Sequence, residues 1–248
     1  MLILLPPSES KRDGGPEGSS LDLDSLGFAE LSSQRRAVLA SLRLLSRNRA
    51  ASLHALGLSE AQGFEVDRNR TVRSSPVLPA IERYTGVLFD GLDWARAADA
   101  SREFARGHVA IHSALFGLVR AGDLIPAYRL SHDSRLSVRG HTLKALWREP
   151  VAGALAKQEG LVLDLRSEAY VAMGPAPAGS VFLRVVTEGT DGRRRALNHF
   201  NKKAKGEFTR ALIDARIDHS SVDSLLEWAA DASWNLSRGA SHELDLLV

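Results

Sequence analysis

The pattern of apolar and polar positions predicts strands at the start of the chain and again in its second half. Met1 to Leu5 is a continuous apolar run, typical of a buried strand, and the Pro6-Pro7 pair ends it because proline supplies no ladder donor. An Asp191-Gly192 pair then marks a hairpin turn between two later runs. The later strand patterns are Leu161 to Leu165, Val181 to Thr187 and Arg195 to Phe200.

Helical spacing characterises much of the remaining chain. Apolar residues recur at helical intervals from Leu31 to Leu45, and Arg35 and Arg36 fall on the other side, which predicts an amphipathic helix with basic flanks. Val109 to Val119 is apolar with small residues and fits either a buried helix or a buried strand. Further helices are predicted at Pro79 to Tyr84, Ala95 to Arg106 and Gly140 to Lys157, the last with a kink at Pro150.

The order of these elements predicts the fold class. A hairpin, helical segments of crossover length and a buried N-terminal strand together indicate an α+β or mixed α/β fold with a mixed sheet. The chain has no repeat, no low-complexity tract and no clear linker, so we predict a single compact domain over residues 1–248.

Composition narrows the class of protein. The 248 residues are 44% hydrophobic and 25% charged, which is ordinary for a soluble globular protein. The chain contains no cysteine, which excludes disulfides and thiolate sites and fits a cytoplasmic location. No apolar run approaches the roughly 20 residues of a membrane helix, so no membrane partner is expected. A net charge of +2 is modest, so nucleic-acid binding depends on where the basic residues lie.

A lysine cluster is the most distinctive feature of the charge pattern. Three of the six lysines, Lys202, Lys203 and Lys205, lie within four residues at the predicted start of a helix. The helix dipole disfavours cations there, so an anion held between the lysines and the free backbone amides is attractive. A solvated basic face is the alternative. Gly206 is expected to let another backbone approach.

Polar loops follow two of the predicted strands. Ser8-Glu9-Ser10-Lys11 comes after the first strand, and Ser167-Glu168 follows the strand at Leu161 to Leu165. Strand ends at one edge of a sheet commonly carry a binding site, although solvated loops are the simpler interpretation. Asp164, inside an apolar run, is expected to be buried and paired with an arginine because an isolated buried carboxylate is costly.

Common catalytic and metal motifs are not present. His108 and His112 have helical i, i+4 spacing, but Val109 occupies the position of a zinc-protease glutamate and no third ligand is indicated, so no metal site is predicted. The chain has no G-x-S-x-G elbow, no P-loop and no G-x-G-x-x-G, and no cofactor is predicted. The segment Arg120 to Leu130, with Tyr128 and Arg129, is predicted to be an ordered loop.

Five blocks in the same order resemble the peroxide stress protein YaaA family over nearly the whole chain. They are ILLPPSESK at the start, YTGVLFDGL at Tyr84 to Leu92, HSALFGLVRAGDLIPAYRL at His112 to Leu130, LDLRSEAYVAM at Leu163 to Met173, and HFNKKAKGEFTR at His199 to Arg210. The chain departs from the family pattern at Ser10, Arg12, Ala114, Phe116, Ala121-Gly122 and Ser131-His132-Asp133.

The resemblance implies both a fold and a function. It implies one compact mixed α/β body with a helix-hairpin-helix element, DNA binding, and protection against hydrogen peroxide by limitation of free intracellular iron. The counterpart of that element here is Ser113 to Arg120, with Gly117 in the turn and Arg120 beside it. Such elements hold a phosphate backbone without reading its sequence.

Two functional hypotheses follow. In the first, the chain is a cytoplasmic DNA-binding protein of the peroxide stress response that contacts phosphates, and the arginine-rich helix from Arg35 widens its basic surface. In the second, it is an enzyme acting on a nucleotide, nucleobase or nucleic acid in a polar pocket, with Glu9, Lys11, Glu168 and Tyr128 as catalytic candidates. The predicted nucleic-acid or anion-binding residues are Ser8, Ser10, Lys11, Tyr84, Gly117, Arg120, Arg129, Ser167, Lys202, Lys203, Lys205, Gly206 and Arg210.

Overall fold

The computed structural model describes residues 1–188, 194–196 and 201–248. Within them, the strands are β1 Leu2–Leu5, β2 Val77–Pro79, β3 Val109–Ser113, β4 Gly117–Arg120, β5 Leu124–Pro126, β6 Val162–Asp164, β7 Val181–Glu188, β8 Arg194–Ala196, β9 Leu236–Arg238 and β10 Glu243–Leu247. The α-helices are α1 Ser32–Leu45, α2 Arg49–Leu56, α3 Phe64–Arg70, α4 Ala80–Arg83, α5 Val87–Leu92, α6 Asp99–His108, α7 Leu143–Ala156, α8 Glu168–Val171, α9 Asn201–Ala215 and α10 Val222–Asp231.

A mixed sheet forms the centre of the molecule. Seven strands follow the order β4-β3-β1-β6-β7-β10-β9, and β8 pairs with β7 beyond that path. The central strands β3, β1, β6 and β7 are parallel, and β10 is parallel to β7. All four residues of β1 are buried, as expected for a strand covered on both faces. The predicted mixed α/β class and single compact body are confirmed, with one hydrophobic core.

The parallel strands fix where a site can form. Leu4 pairs with Ala110 of β3 on one side and with Asp164 of β6 on the other, so these strands end at the same edge of the sheet. The polar loops that begin at Pro6 and at Leu165 therefore emerge side by side. This edge is where parallel sheets commonly bind their ligands.

The segment Ser113 to Arg120 is a β-hairpin and not the helical element that the family resemblance predicts. β3 and β4 are antiparallel, with Ser113 opposite Gly117 and Ala110 opposite Arg120. Gly117 has a φ of 67°, and a Cβ there would lie 2.8 Å from the Trp147 ring. The prediction is wrong because this apolar segment is buried in the core, where it completes the sheet. A helix-hairpin-helix is not confirmed.

Helix α1 matches its predicted span, but Arg35 does not contribute to a basic surface. Its guanidinium is fully buried and donates to the backbone carbonyls of Phe116, Gly27 and Leu118 at 2.9, 2.6 and 2.6 Å. Burial lowers the pKa of Arg35 to about 10, so the group is still charged at neutral pH. Arg35 thus fastens α1 to the hairpin.

Helices α5 and α9 touch through their backbones. A Cβ on Gly206 would lie 2.0 Å from the Leu88 carbonyl oxygen, and one on Gly91 would lie 2.7 Å from the Lys203 carbonyl oxygen. The predicted close approach at Gly206 is confirmed. This contact places the first two turns of α9 against α5.

The C-terminal predictions are confirmed where the structure describes them. β7 and β8 are antiparallel neighbours, as the hairpin pattern predicts. The turn at Asp191-Gly192 and the last four residues of the strand predicted to end at Phe200 lie outside the described residues. Among the described residues, no helix combines the length and apolar character needed to cross a membrane.

Candidate functional site

A cleft of about 610 Å³ opens at the carboxyl edge of β1 and β6. Four stretches of chain meet in it: the loop after β1, the turn before α5, the loop at 130–132, and the segment from Leu165 to Tyr170. The start of α9 closes one side. The polar groups on which the site depends are Ser8, Glu9, Ser167, Asn201, Lys202 and Lys205.

The lysine cluster is divided by the turn of α9. Lys202 is exposed at the rim of the cleft, and Lys205 lines its wall with 5% of its surface exposed. Lys203 does not line the cleft, and its ammonium lies 3.4 Å from Glu207 on the outer face of the helix. The three lysines therefore have different surroundings, although they lie within four residues of each other.

Lys205 is held by a backbone carbonyl and an aromatic ring. Its Nζ donates to the Leu165 oxygen at 3.0 Å and lies 5.0 Å from the centre of the Phe182 ring. Burial lowers the pKa of Lys205 to about 8, against the opposing attraction of Asp164. The group therefore remains largely protonated at neutral pH and supplies a positive charge to a cleft wall that is largely shielded from solvent.

Hydroxyl and amide groups surround these cations. The Ser8 hydroxyl accepts from the Ser10 amide at 3.3 Å and faces Gly86, whose φ of 98° brings its backbone into the cleft wall. Ser167 precedes α8 without capping it, so its hydroxyl is not used by the helix. The Asn201 Oδ1 atom is buried and has no partner among the described residues.

Glu9 and Arg129 form one margin of the cleft. The Arg129 guanidinium lies 2.5 Å from the Glu9 carboxylate, and Asn69 holds the backbone N–H and carbonyl of Arg129 at 2.8 Å each. The neighbouring residues Ser131 and His132 reach into the cleft. The loops at Ser8, Arg129, Ser167 and Lys202 thus share one opening, and its mouth carries a carboxylate and an imidazole.

Lys11, Tyr84 and Tyr128 lie beneath the cleft and do not line it. The Ser113 hydroxyl accepts from the amides of Leu115 and Phe116, so it donates its proton to Tyr128 at 2.7 Å, and Tyr128 donates to Tyr84 at 2.7 Å. Burial raises the pKa of Tyr84 to about 12 and that of Tyr128 well above its usual value. Both phenols are neutral, and Tyr128 is unsuited to be a base.

Glu168 lies outside the cleft. It lines a separate cavity of about 450 Å³, and its carboxylate lies 3.4 Å from Arg184, which also binds Glu243 at 2.5 Å. Ser167 is the extended residue before α8 and Glu168 is the first residue of that helix, and the two line different cavities. Of the two glutamates that were catalytic candidates, only Glu9 lines the cleft.

Asp164 is buried and paired with an arginine, as predicted. Arg166 is fully buried and binds both carboxylate oxygens of Asp164, at 2.8 and 2.6 Å. Arg166 also donates to His112 Nδ1 at 2.9 Å. Burial lowers the pKa of His112 well below its usual value, so the imidazole is neutral. This array supports Tyr170, whose ring packs against His112 at the cleft floor.

The two histidines of the i, i+4 pair lie on different elements. His112 is in β3, whereas His108 ends α6, stacks on Phe104 and places its Nδ1 atom 2.8 Å from the Met1 carbonyl. Over the described ranges, no group of three or more His, Asp or Glu residues is arranged to hold a metal ion.

Several residues that were predicted to contact phosphate make contacts within the protein and do not line the cleft. Arg120 binds the Gly107 carbonyl and Gln158, at the far end of β3 from the cleft. Arg210 binds Asp214 at 2.6 Å and the backbone of the segment before α6. Gly117 is buried, Gly206 is enclosed between α5 and α9, and Ser10 is exposed but outside the cleft.

Sequence reasoning missed four residues of the site and its support: Tyr170, His132, Asn201 and Arg166. Arg166 had a usable signal, because it lies two residues after a buried carboxylate at the end of the same strand. Asn201 directly precedes the lysines and could have been included as the first residue of their helix. Tyr170 and His132 carried no comparable sign.

The sequence of the chain was compared with those of known proteins and protein families. The model of a family described as peroxide stress protein YaaA matches residues 1–237. The chain is 42% identical to a UPF0246 protein of Corynebacterium efficiens over the full length of both chains. It is 37% identical to one of Streptomyces coelicolor over 100% of this chain and 98% of the relative, and 26% identical to one of Streptococcus pneumoniae over 88% and 87%. On the strength of the matched length and these identities, the chain belongs to the peroxide stress protein YaaA family.

Proposed function

We propose that the protein serves the peroxide stress response by binding a phosphate-bearing ligand of nucleotide size in the cleft. The observation that carries the proposal is the convergence of Lys202, Lys205 and the first turn of α9 on the hydroxyls of Ser8 and Ser167. Helix N-termini and lysines both favour an anion, and hydroxyls add hydrogen bonds that a phosphate can accept.

The shape of the cleft favours a small ligand. Its volume of about 610 Å³ lies within the range of pockets that enclose small molecules, roughly 300–1,000 Å³. Apolar side chains such as Leu88, Phe89 and Leu130 line the rest of the wall and suit the flat face of a base. Glu9 and His132 at the mouth can exchange protons with a bound ligand, so the site also suits acid-base chemistry.

DNA binding through phosphates is the second candidate function. The observation that favours it is that Lys202 and Lys203 are both exposed on the first turn of α9. In that arrangement a DNA backbone would cross the outer face of the helix, and both lysines would contribute. Each lost phosphate contact would lower the slope of log affinity against log salt by roughly 0.9.

A pair of single substitutions separates the two functions. Lys202→Ala and Lys203→Ala remove the same charge from adjacent positions, but only Lys202 lines the cleft. Titration calorimetry with nucleoside monophosphates and with duplex DNA should be run on both variants. A charge-assisted hydrogen bond contributes about 1.5 kcal/mol at its low end, so K202A should weaken nucleotide binding about tenfold and K203A should leave it nearly unchanged.

Three results would decide against the cleft. Equal losses in K202A and K203A, with equal changes in salt slope for DNA, would favour the outer face of α9. Wild-type protein that binds no nucleoside monophosphate and no inorganic phosphate would refute the proposal. Cells that carry K203A in place of the wild type should resist hydrogen peroxide better than cells that carry K202A, and the reverse order would contradict the link to the stress response.

A further inference from the structure

Lys11 is a buried amine attached to the cleft wall from behind. It forms an isolated antiparallel bridge with Tyr84, which fixes its backbone beneath the loop. Its Nζ donates to the carbonyl oxygens of Ser8 and Glu9 at 3.0 and 3.3 Å, and only 8% of the residue is exposed. The two acceptors belong to residues that line the cleft. Lys11 therefore touches the wall of the site without entering it.

Two aromatic faces enclose the same amine. Nζ lies 4.0 Å from the centre of the Tyr128 ring and 5.2 Å from that of Tyr84. The hydroxyls of both rings bond to each other and are neutral, so they offer no counter-charge. An ammonium gains cation-π attraction from these faces that a neutral amine does not.

Charged groups of both signs surround Lys11. Glu65 and Arg68 face it from α3, Glu9 from its own loop, and Arg129 from the loop after β5. Arg68 is itself paired with Glu65 at 2.7 Å, and Arg129 with Glu9 at 2.5 Å, so these charges largely offset each other. Burial is then the largest influence, and it lowers the pKa of Lys11 to about 7.

We infer that Lys11 is a proton-controlled clip: when charged it holds the Ser8–Glu9 wall of the cleft in place, and when neutral it releases that wall and weakens ligand binding. The step from wall to ligand rests on the proposed function. Charge-assisted hydrogen bonds are roughly twice as strong as neutral ones, so loss of the proton weakens both bonds to the wall.

The sign of the pH effect follows from linkage. An anion in the cleft favours the charged form of Lys11 and raises its pKa, so binding takes up a proton. Ligand affinity should therefore fall as the pH rises through 7, by at most about tenfold per pH unit for one linked proton. Lys11 acts here as a positioning residue because it contacts the wall and not the ligand.

Carbonyl NMR shifts test the clip without any ligand. Between pH 6 and 9, the carbonyl carbons of Ser8 and Glu9 should titrate together with a midpoint near 7. The Leu165 carbonyl accepts from Lys205 and should titrate separately, nearer 8, which gives an internal control. Carbonyls of Ser8 and Glu9 that stay flat in the wild type would overturn the inference, and this result needs no variant to fold.

The variant Lys11→Met tests two points separately: whether Lys11 causes the carbonyl titration, and whether that titration affects ligand binding. In K11M the carbonyl shifts of Ser8 and Glu9 should no longer titrate near pH 7, and persistence of that midpoint would refute the assignment to Lys11. Nucleotide affinity should fall less between pH 6.5 and 8.5 in K11M than in the wild type. Equal pH profiles for binding would overturn the coupling to the cleft. Absence of nucleotide binding at every pH would refute the proposed function, while the carbonyl titration would still decide whether the clip exists.

Discussion

Gly206→Ala offers the sharpest test of how the start of α9 is positioned. The added methyl would lie 2.0 Å from the Leu88 oxygen and 2.9 Å from the Leu92 nitrogen, both backbone atoms of the neighbouring helix. A backbone oxygen cannot rotate aside as a side chain can, so α5 and α9 must separate by roughly 1 Å or more to reach ordinary contact. That separation would also displace the cleft walls that these two helices carry.

The size of the effect can be worked from opposing contributions. Overpacking a core costs about 1–3 kcal/mol, and the rigid contact places this site at the upper end. Alanine regains about 1 kcal/mol of helix propensity over glycine. We therefore expect G206A to lower the free energy of unfolding by about 2 kcal/mol, which corresponds to a fall in Tm of about 4–8 °C for a protein of this size.

Urea denaturation followed by tryptophan fluorescence is a suitable assay. Trp228 and Trp234 pack against Phe208 of α9, so they report on this helix. Gly153→Ala in α7 is the matched control, because a Cβ there meets nothing within 4 Å, and it should stabilise the protein by about 0.5–1 kcal/mol. If G206A is as stable as G153A, the helices are not in backbone contact and our account of the cleft wall is wrong.

Three further predictions concern the supports of the site. Asp164→Asn should lower the free energy of unfolding by about 3–5 kcal/mol, because it leaves Arg166 buried without its carboxylate; an unchanged urea midpoint would contradict this. Ser113→Ala should cost about 1–3 kcal/mol for each buried amide it leaves without an acceptor, again measured by urea denaturation, and a loss under 1 kcal/mol would argue against the hydroxyl chain. The pKa values of Lys11 and Lys205, about 7 and about 8, lie below the ordinary value of 10.5. Above pH 7 the unfolded chain therefore binds more protons than the folded chain, and the free energy of unfolding should rise from pH 7 to 10. Lys205→Met should remove about half of the slope above pH 8, where Lys11 and Lys205 both contribute in the wild type, and an identical slope in this variant would refute the assignment.

The hydrophobic pattern predicted those helices and strands that can be recognised from local sequence alone, without knowledge of their tertiary contacts. The apolar run of β1, the spacing in α1 and α7, and the mainly apolar run of β7 are local signals, and each matches the structure within a few residues. The buried pairing of Asp164 also followed from a local argument, because the cost of an unpaired carboxylate in an apolar strand does not depend on topology. The family resemblance added the expected architecture.

Several features depend on tertiary contacts. The sequence left some of these open, and for others it led to wrong predictions. Arg35 has the spacing of a surface arginine, but its guanidinium is buried, where it binds two backbone carbonyls of the β3–β4 hairpin and the carbonyl of Gly27. Ser167 and Glu168 are adjacent in sequence, yet the chain enters α8 between them and they line different cavities. The helical interpretation of Ser113 to Arg120 failed because pairing with β3 outweighs any local preference.

The lysine cluster at the site also shows what sequence alone could not predict. Sequence alone gives Lys202, Lys203 and Lys205 equal weight as anion ligands. Only the rotation of α9 against the sheet assigns Lys205 to the wall, Lys202 to the rim and Lys203 to the outer face. The division matters because two lysines of the cluster line the cleft, whereas Lys203 lies outside it and can serve as a control.

A crystal structure of the protein with a nucleoside monophosphate bound would show directly whether the phosphate occupies the cleft. We predict phosphate oxygens within hydrogen-bonding distance of the Lys202 and Lys205 amines and of the Ser167 hydroxyl, with the base against the apolar wall of the cleft. A phosphate bound instead on the outer face of α9 beside Lys203, with the cleft unchanged, would contradict the account.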